Sequence, residues 1–265
     1  MLPPFHVIRP RTLDEALESI SEDKVPYCGG TELLLAMRAG LHRPAALVDL
    51  KRLPELNGVR RDNDVVVIGA GERHIDLSHD ATVRGVLPML AKVEAAVGNA
   101  RVRVQGSIGG NLCFAEPKSD VATALVAYGA EVSLAGPAGV RKLPVSEFVA
   151  GPYWANKEPD ELLVDIRVPV PDPGTRAVYL KYQVTERPTV GVALVHDPRA
   201  GLCRLVIGAV GEVQTLWTFG EPGEIQPDSV AAELDPTPDL AGSDRYKRHV
   251  AAVFVRRALA ALEAA

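Results

Sequence analysis

Cysteine is scarce in this chain of 265 residues: Cys28, Cys113 and Cys203 are the whole supply. An odd number of widely spaced thiols makes neither a disulfide framework nor a CxxC metal site. An ordinary iron–sulfur cluster takes four thiolates, so none is expected in this chain. Reduced thiols fit a cytoplasmic setting. Long apolar runs are also lacking. No stretch approaches the ~20 residues of a membrane span, and Met1 to Pro10 has no apolar segment of the kind a secretory leader carries. No run of Lys or Arg stands out, and the formal net charge is −5. A nucleic-acid surface built on clustered positive charge is therefore not expected. Neither an internal repeat nor a low-complexity tract is present. With 47% hydrophobic and 24% charged residues, the composition is that of an ordinary globular protein, long enough for two domains.

Several common site signatures are missing as well. No Gly-Lys-Ser/Thr follows either glycine-rich turn, so neither is a P-loop. Gly69-Ala70-Gly71-Glu72-Arg73-His74 begins like a dinucleotide fingerprint and fails at its last position. No Gly-x-Ser-x-Gly elbow supports a Ser/His/Asp triad. His74 and His79 are five apart, off a single helical face, which argues against a metal pair.

What is present begins with an α/β pattern. A short strand at Phe5–Ile8 leads to a helix Leu13–Ile20, with Thr12 as cap and Glu15 placed for a return bond. A strand Val25–Cys28, a helix Glu32–Ala39 stopped by Gly40, and a strand Ala46–Leu50 complete a β-α-β-α-β unit. Further strands are expected at Val65–Ala70, Glu131–Leu134 and Leu162–Val170, and helices at Leu87–Val97 and Ala122–Tyr128. The Pro-rich stretch Val168 to Gly174 reads as a domain boundary. Beyond it, strands at Val178–Tyr182, Val190–His196 and Cys203–Val210 and a helix Arg245–Glu263 describe a small α+β domain.

Two glycine-rich turns carry the chemistry. The first is Tyr27-Cys28-Gly29-Gly30-Thr31-Glu32-Leu33-Leu34 and the second Gly106-Ser107-Ile108-Gly109-Gly110-Asn111-Leu112. Glycine lets the backbone approach a ligand with no Cβ in the way, and a helix start offers unpaired N–H groups. Two such turns fit a doubly negative ligand gripped from two sides, such as a dinucleotide pyrophosphate. Taken singly, each turn reads equally as a tight turn or bulge that binds nothing. Asp120 either caps the helix beginning near Val121 or offers a carboxylate to ribose hydroxyls.

In their order these segments resemble the FAD-binding subunit of molybdenum hydroxylases, the medium chain of carbon monoxide dehydrogenase and the flavin portion of xanthine dehydrogenase. The resemblance is carried by Gly29-Gly30-Thr31-Glu32-Leu33-Leu34, by Pro44 with Leu47-Val48-Asp49-Leu50 through Pro54-Glu55-Leu56, and by Ser107-Ile108-Gly109-Gly110-Asn111. It continues in Asp120, nine residues past that Asn. Glu161 to Pro169, Tyr179-Leu180-Lys181 and the tail Tyr246 to Leu259 complete it.

The resemblance implies an α+β protein with α/β-type N-terminal subdomains. A two-subdomain FAD-binding unit of the PCMH type would span 1–173, divided at about 56/57, and a C-terminal α+β domain would span 174–265. FAD would be gripped at its pyrophosphate by Tyr27 to Leu34 and by Ser107 to Asn111. Asp120 would bond the adenosine ribose, Leu163 would pack near the adenine, and Lys181 would sit beside the flavin with Val97 and Gly98. No metal ligand and no catalytic acid, base or nucleophile is implied. Partners would be a large molybdenum-cofactor subunit and a small subunit with two [2Fe–2S] clusters, as a dimer of heterotrimers. Electrons would leave through the flavin to NAD, a quinone or dioxygen. A stand-alone flavin oxidoreductase and a flavin-free scaffold are the alternatives. Phe114 departs from the smaller or polar residue expected there. Arg187-Pro188-Thr189 departs from the aromatic or acidic residues of relatives, so the acceptor stays open. The inserted cysteines of the [4Fe–4S] branch are absent.

Overall fold

The computed structural model describes residues 2–264. Its N-terminal unit runs β1 (His6–Ile8), α1 (Leu13–Ser19), β2 (Lys24–Tyr27), α2 (Leu33–Arg38) and β3 (Ala46–Asp49). The strands are parallel in the order β1-β3-β2, so β2 delivers its C-terminal end to the first glycine turn. The Thr12 hydroxyl accepts from the Glu15 amide, and the Glu15 carboxylate accepts from the Arg11 amide. Two orphan donors are thereby satisfied at the entry of α1. Ala16, Ile20, Val48, Leu50, Leu53 and Leu56 form a small core that Leu162 joins from far along the chain.

The middle unit begins with β4 (Val59–Asp62) and β5 (Val65–Gly69). Six helices follow: α3 (His74–His79), α4 (Ala81–Val86), α5 (Pro88–Ala95), α6 (Ala100–Gln105), α7 (Ile108–Phe114) and α8 (Asp120–Tyr128). Then come β6 (Glu131–Gly136), β7 (Gly139–Pro144), α9 (Val145–Phe148), β8 (Val149–Gly151), β9 (Trp154–Ala155) and β10 (Leu162–Pro169). The sheet is antiparallel in the order β4-β5-β10-β6-β7. Alternate residues of its central strands, Val66 and Ile68 with Ile166 and Val168, share a core with Leu77, Leu90, Leu112 and Leu125 of the helices.

The C-terminal unit is a meander, β11 (Arg176–Gln183), β12 (Pro188–Asp197), β13 (Leu202–Gly208) and β14 (Thr215–Phe219), followed by α10 (Pro227–Glu233) and α11 (Asp244–Glu263). Strand β12 is covered on both faces. Val190, Val192 and Leu194 pack with Val250, Val255 and Leu262 of α11, whereas Ala193 and Val195 join the core of the middle unit. Helix α8 lies directly on this sheet, because a Cβ on Gly208 would stand 2.1 Å from the Thr123 hydroxyl. That packing brings the start of α8 against β11.

Some expectations change. The second glycine segment is not an open turn: Ser107 caps α7, and Ile108 to Asn111 form its first turn. The short helices α3, α4, α6 and α10, and the strands β4, β7 and β14, have no counterpart among the expected elements. Most are polar and brief, and the starts of α4 and α6 are fixed by side chains of Asp80 and Asn99 rather than by an apolar period. No helix among the described residues is long and apolar enough to cross a membrane.

Candidate functional site

The two glycine segments meet through their backbones. A Cβ on Gly29 would lie 2.3 Å from the Gln105 carbonyl oxygen and 2.7 Å from the Gly106 Cα. Gly30 has φ +71°, the left-handed region that glycine tolerates. On the other wall, a Cβ on Gly109 would stand 2.6 Å from both Cβ and O of Ala70. Glycine is therefore needed at 29 and 109 for close backbone packing, and at 30 for backbone conformation.

Which amides are free differs between the two walls. The amides of Gly30, Thr31, Glu32 and Leu33 have no protein acceptor among the described residues. On α7, Ile108 donates to the Glu72 carbonyl and Gly109 to the Ala70 carbonyl. Those two amides are spent on packing, contrary to the expectation that both segments offer a row of free N–H groups. Ile108 is fully buried. What α7 turns to the cavity is Gly110, whose amide is held only by the Ser107 hydroxyl at 3.2 Å, together with Ser107 and Asn111.

Two cavities join at this point. The larger, about 450 Å³, takes in Cys28 to Leu33, the segment Val97–Asn99, Ser107, Gly110, Asn111 and Asp120. The smaller, about 150 Å³, is mainly apolar and is walled by Leu50, Leu56, Leu162 and Leu163. Pro26, Cys28, Ser107, Gly110 and Cys113 border both. A wide polar arm and a narrow apolar arm thus meet at the glycine segments, a shape that suits an extended dinucleotide with its diphosphate at the junction. Leu34 does not line the cleft; its side chain lies against Gly30. Tyr27 faces a separate polar hollow behind the loop, where the Lys51 ammonium sits 4.4 Å from its ring centre.

Burial pushes the Cys113 thiol up to about 11 and raises that of Cys28 as well, so both remain thiols rather than nucleophiles. No cluster of metal-ligating side chains occurs among the described residues.

Asp120 is not the helix cap. The Ser119 hydroxyl takes that place, accepting from the Ala122 amide at 3.1 Å. The Asp120 carboxylate, buried, accepts from the Tyr179 hydroxyl on one oxygen and from Lys181 Nζ at 2.8 Å on the other. Lys181 also donates to the Ala96 carbonyl at 3.1 Å, next to Val97 and Gly98. Burial, then the Asp120 charge, holds the Tyr179 phenol well above its ordinary range.

The ion pairs at the cleft gave no signal in the sequence, because the partners are far apart along the chain. Arg187, on the connection before β12, bridges Glu32 at 2.9 Å and Glu116. Lys118 pairs with Asp239 at 2.7 Å, and Asp239 also meets the buried Lys247 at 3.0 Å. Burial opposes ionisation of Asp239, but hydrogen bonds from Lys118 and Lys247 outweigh it and lower its carboxyl to about 2.

Comparison with known proteins establishes the family of the chain and its fold. The profile of a family described as the FAD binding domain in molybdopterin dehydrogenase matches residues 3–171. The carbon monoxide dehydrogenase medium chain of Hydrogenophaga pseudoflava is 31% identical over 98% of this chain and 97% of its own length. That of Afipia carboxidovorans is 30% identical over 96% and 95%. A solved carbon monoxide dehydrogenase from Hydrogenophaga pseudoflava, lacking the Mo-pyranopterin moiety of its molybdenum cofactor, superposes with a TM-score of 0.92 at 30% identity, covering 100% of this chain and 99% of that one. This chain therefore belongs to the FAD-binding family of the molybdopterin dehydrogenases, as an FAD-binding subunit of the molybdenum-hydroxylase type of oxidoreductase.

Proposed function

We propose that this chain is the flavin-carrying link of a three-subunit molybdenum hydroxylase, working with a large molybdenum-cofactor subunit and a small subunit that carries two [2Fe–2S] clusters. FAD, held by the glycine segments, would supply the redox chemistry that links the iron–sulfur partner to an acceptor, whether NAD, a quinone or dioxygen. The observation that carries this reading is the junction of a polar and an apolar cavity at the two glycine segments, in a chain that matches a carbon monoxide dehydrogenase medium chain over 97% of that chain's length.

The roles of the residues follow from their neighbours. The amides of Gly30 to Leu33, with Gly110, Ser107 and Asn111, hold the diphosphate. Gly29, Ile108 and Gly109 support that cradle by packing. Leu163 and its apolar pocket, with Cys28 at its mouth, take the adenine. The ion pair of Asp120 with Lys181 supports assigning both to one end of the cofactor, beside Val97 and Gly98. We therefore assign Asp120 to the ribityl–flavin half and not to the adenosine ribose, since Lys181 cannot serve the flavin while its close partner serves the opposite end. The protein's part is to bind, orient and shield.

The test is gentle purification of the complex from its natural source, followed by assay of flavin, iron and molybdenum. Co-elution of FAD with both metals in a complex of two heterotrimers, in the cytoplasmic fraction, supports the full reading. A flavin-containing chain that turns over substrate alone would make it a stand-alone oxidoreductase. A colourless chain that fails to take up FAD would reduce it to a scaffold.

A further inference from the structure

His74 begins α3 and Glu94 lies in the last turn of α5. Their side chains are 2% and 0% exposed, and His74 Nδ1 lies 2.5 Å from Glu94 Oε2. The second carboxylate oxygen of Glu94 has no hydrogen-bond partner. A carboxylate placed this way is costly unless a charged partner offsets it.

The pair does not sit in a closed core. The His74 ring lies against Gly106: a Cβ there would be 3.0 Å from its Cδ2 and 3.2 Å from its Nε2. Gly106 in turn touches Gly29. Imidazole, Gly106 and Gly29 are thus stacked with no side chain between them, and the imidazole borders the main cleft. Nδ1 is committed to Glu94, so Nε2 is the nitrogen left for a ligand, and it has no protein partner among the described residues.

Charge around the cleft gives this nitrogen a task. Glu32, Glu116, Asp120 and Glu186 line it, against Lys118, Arg187 and the Lys181 that pairs with Asp120, all three already ion-paired. A diphosphate adds two negative charges to a wall that already carries an excess of them. Held at Nδ1 by a buried carboxylate, the ring is fixed with its Nε2 side toward the junction of the glycine segments.

We propose that His74 is a further binding residue, donating from Nε2 to the cofactor's diphosphate, and that Glu94 is its positioning residue. The inference rests on the FAD reading above. It also gives Gly106 a reason: any side chain there would displace the imidazole.

The competing role is a plain structural pin between α3 and α5. Two variants of the full chain separate the two. Glu94→Gln keeps the shape and an acceptor for Nδ1 while removing the charge. His74→Leu combined with Glu94→Leu removes both partners together, so neither is left buried without the other, and apolar replacement of a buried pair is commonly tolerated. Binding of FAD and of ADP is measured by calorimetry, with urea unfolding of the ligand-free proteins beside it. Both variants are expected to lose roughly ten- to a hundredfold in affinity for FAD and ADP alike, the size of one charge-assisted hydrogen bond. Unchanged affinities overturn the inference. So does a loss confined to FAD, which would put His74 at the flavin. If the double variant does not fold, Glu94→Gln decides alone. A wild-type chain that takes neither FAD nor ADP overturns the FAD reading and this inference together.

Discussion

A methyl group on Gly29 has nowhere to go. Built on the existing backbone it falls 2.3 Å from the Gln105 carbonyl oxygen, where ordinary contact begins at 3.4 Å. Its next neighbour, the Gly106 Cα at 2.7 Å, is also backbone. No rotamer change relieves the clash, so in Gly29→Ala the two segments must part by about 1 Å, and overpacking of this kind costs about 1–3 kcal/mol. The effect on FAD should be at least as large. In the proposed binding mode, amides of Gly30 to Leu33 on one wall and Gly110 with Ser107 on the other reach the same diphosphate, and a hydrogen bond near 2.9 Å does not survive an added ~1 Å. Losing two at ~1–1.5 kcal/mol each weakens FAD binding roughly 30- to 150-fold. Gly110→Ala is the control, because its Cβ meets only the Ser107 hydroxyl, at 2.9 Å. Turning that hydroxyl away gives up its capping bond to the Gly110 amide but moves no backbone, so this variant should keep the fold at slightly lower stability and weaken FAD binding less than Gly29→Ala. The assay is urea unfolding of the ligand-free chains together with FAD titration by flavin fluorescence. Wild-type midpoint and affinity in Gly29→Ala would refute the claim that the two walls touch through their backbones.

Two other perturbations probe the joints of the site. Asp120→Asn keeps an acceptor for the Tyr179 hydroxyl but leaves Lys181 without its counter-charge; FAD binding should weaken by about 1–3 kcal/mol, and equal affinity by titration would make the ion pair purely structural. For Asp239, the folded carboxyl stands at about 2 against an ordinary 3.8. Its contribution is therefore complete above the ordinary value and lost as pH falls toward 2. Asp239→Asn should lower Tm at neutral pH, with the gap to wild type closing below about pH 4; a gap that persists at pH 2 would count against the Lys118–Asp239–Lys247 linkage.

The parallel N-terminal unit was legible because each strand and helix there is short, apolar on one side and punctuated by Thr12, Gly40 or a proline. Helix α11 was legible for the same reason: Val250, Phe254, Ala258 and Leu262 recur on one face. The hairpin partner β7 was not, since its residues Gly139 to Lys142 are exposed and polar or lone, leaving no apolar alternation to mark the strand that folds straight back on β6. The glycine segments could be read as a place, but not as two different walls. Nothing in Ser107 to Asn111 says that Ile108 and Gly109 spend their amides on Glu72 and Ala70, since that depends on where β5 ends. His74 was visible only as half of an unsuitable metal pair. Its partner Glu94 is twenty residues away, within a stretch that otherwise reads as plain helix.

Cys28 and Cys113 stand where the two cavities join, and burial keeps both protonated. Thiolate, not thiol, begins the climb to sulfenic and sulfinic acids. In the reading proposed above, with dioxygen among the acceptors, peroxide would form within the same cleft that these thiols border. The apolar lining that shapes the smaller cavity thus also keeps its sulfur in the least oxidisable form, so pocket shape and resistance to oxidation come from the same packing.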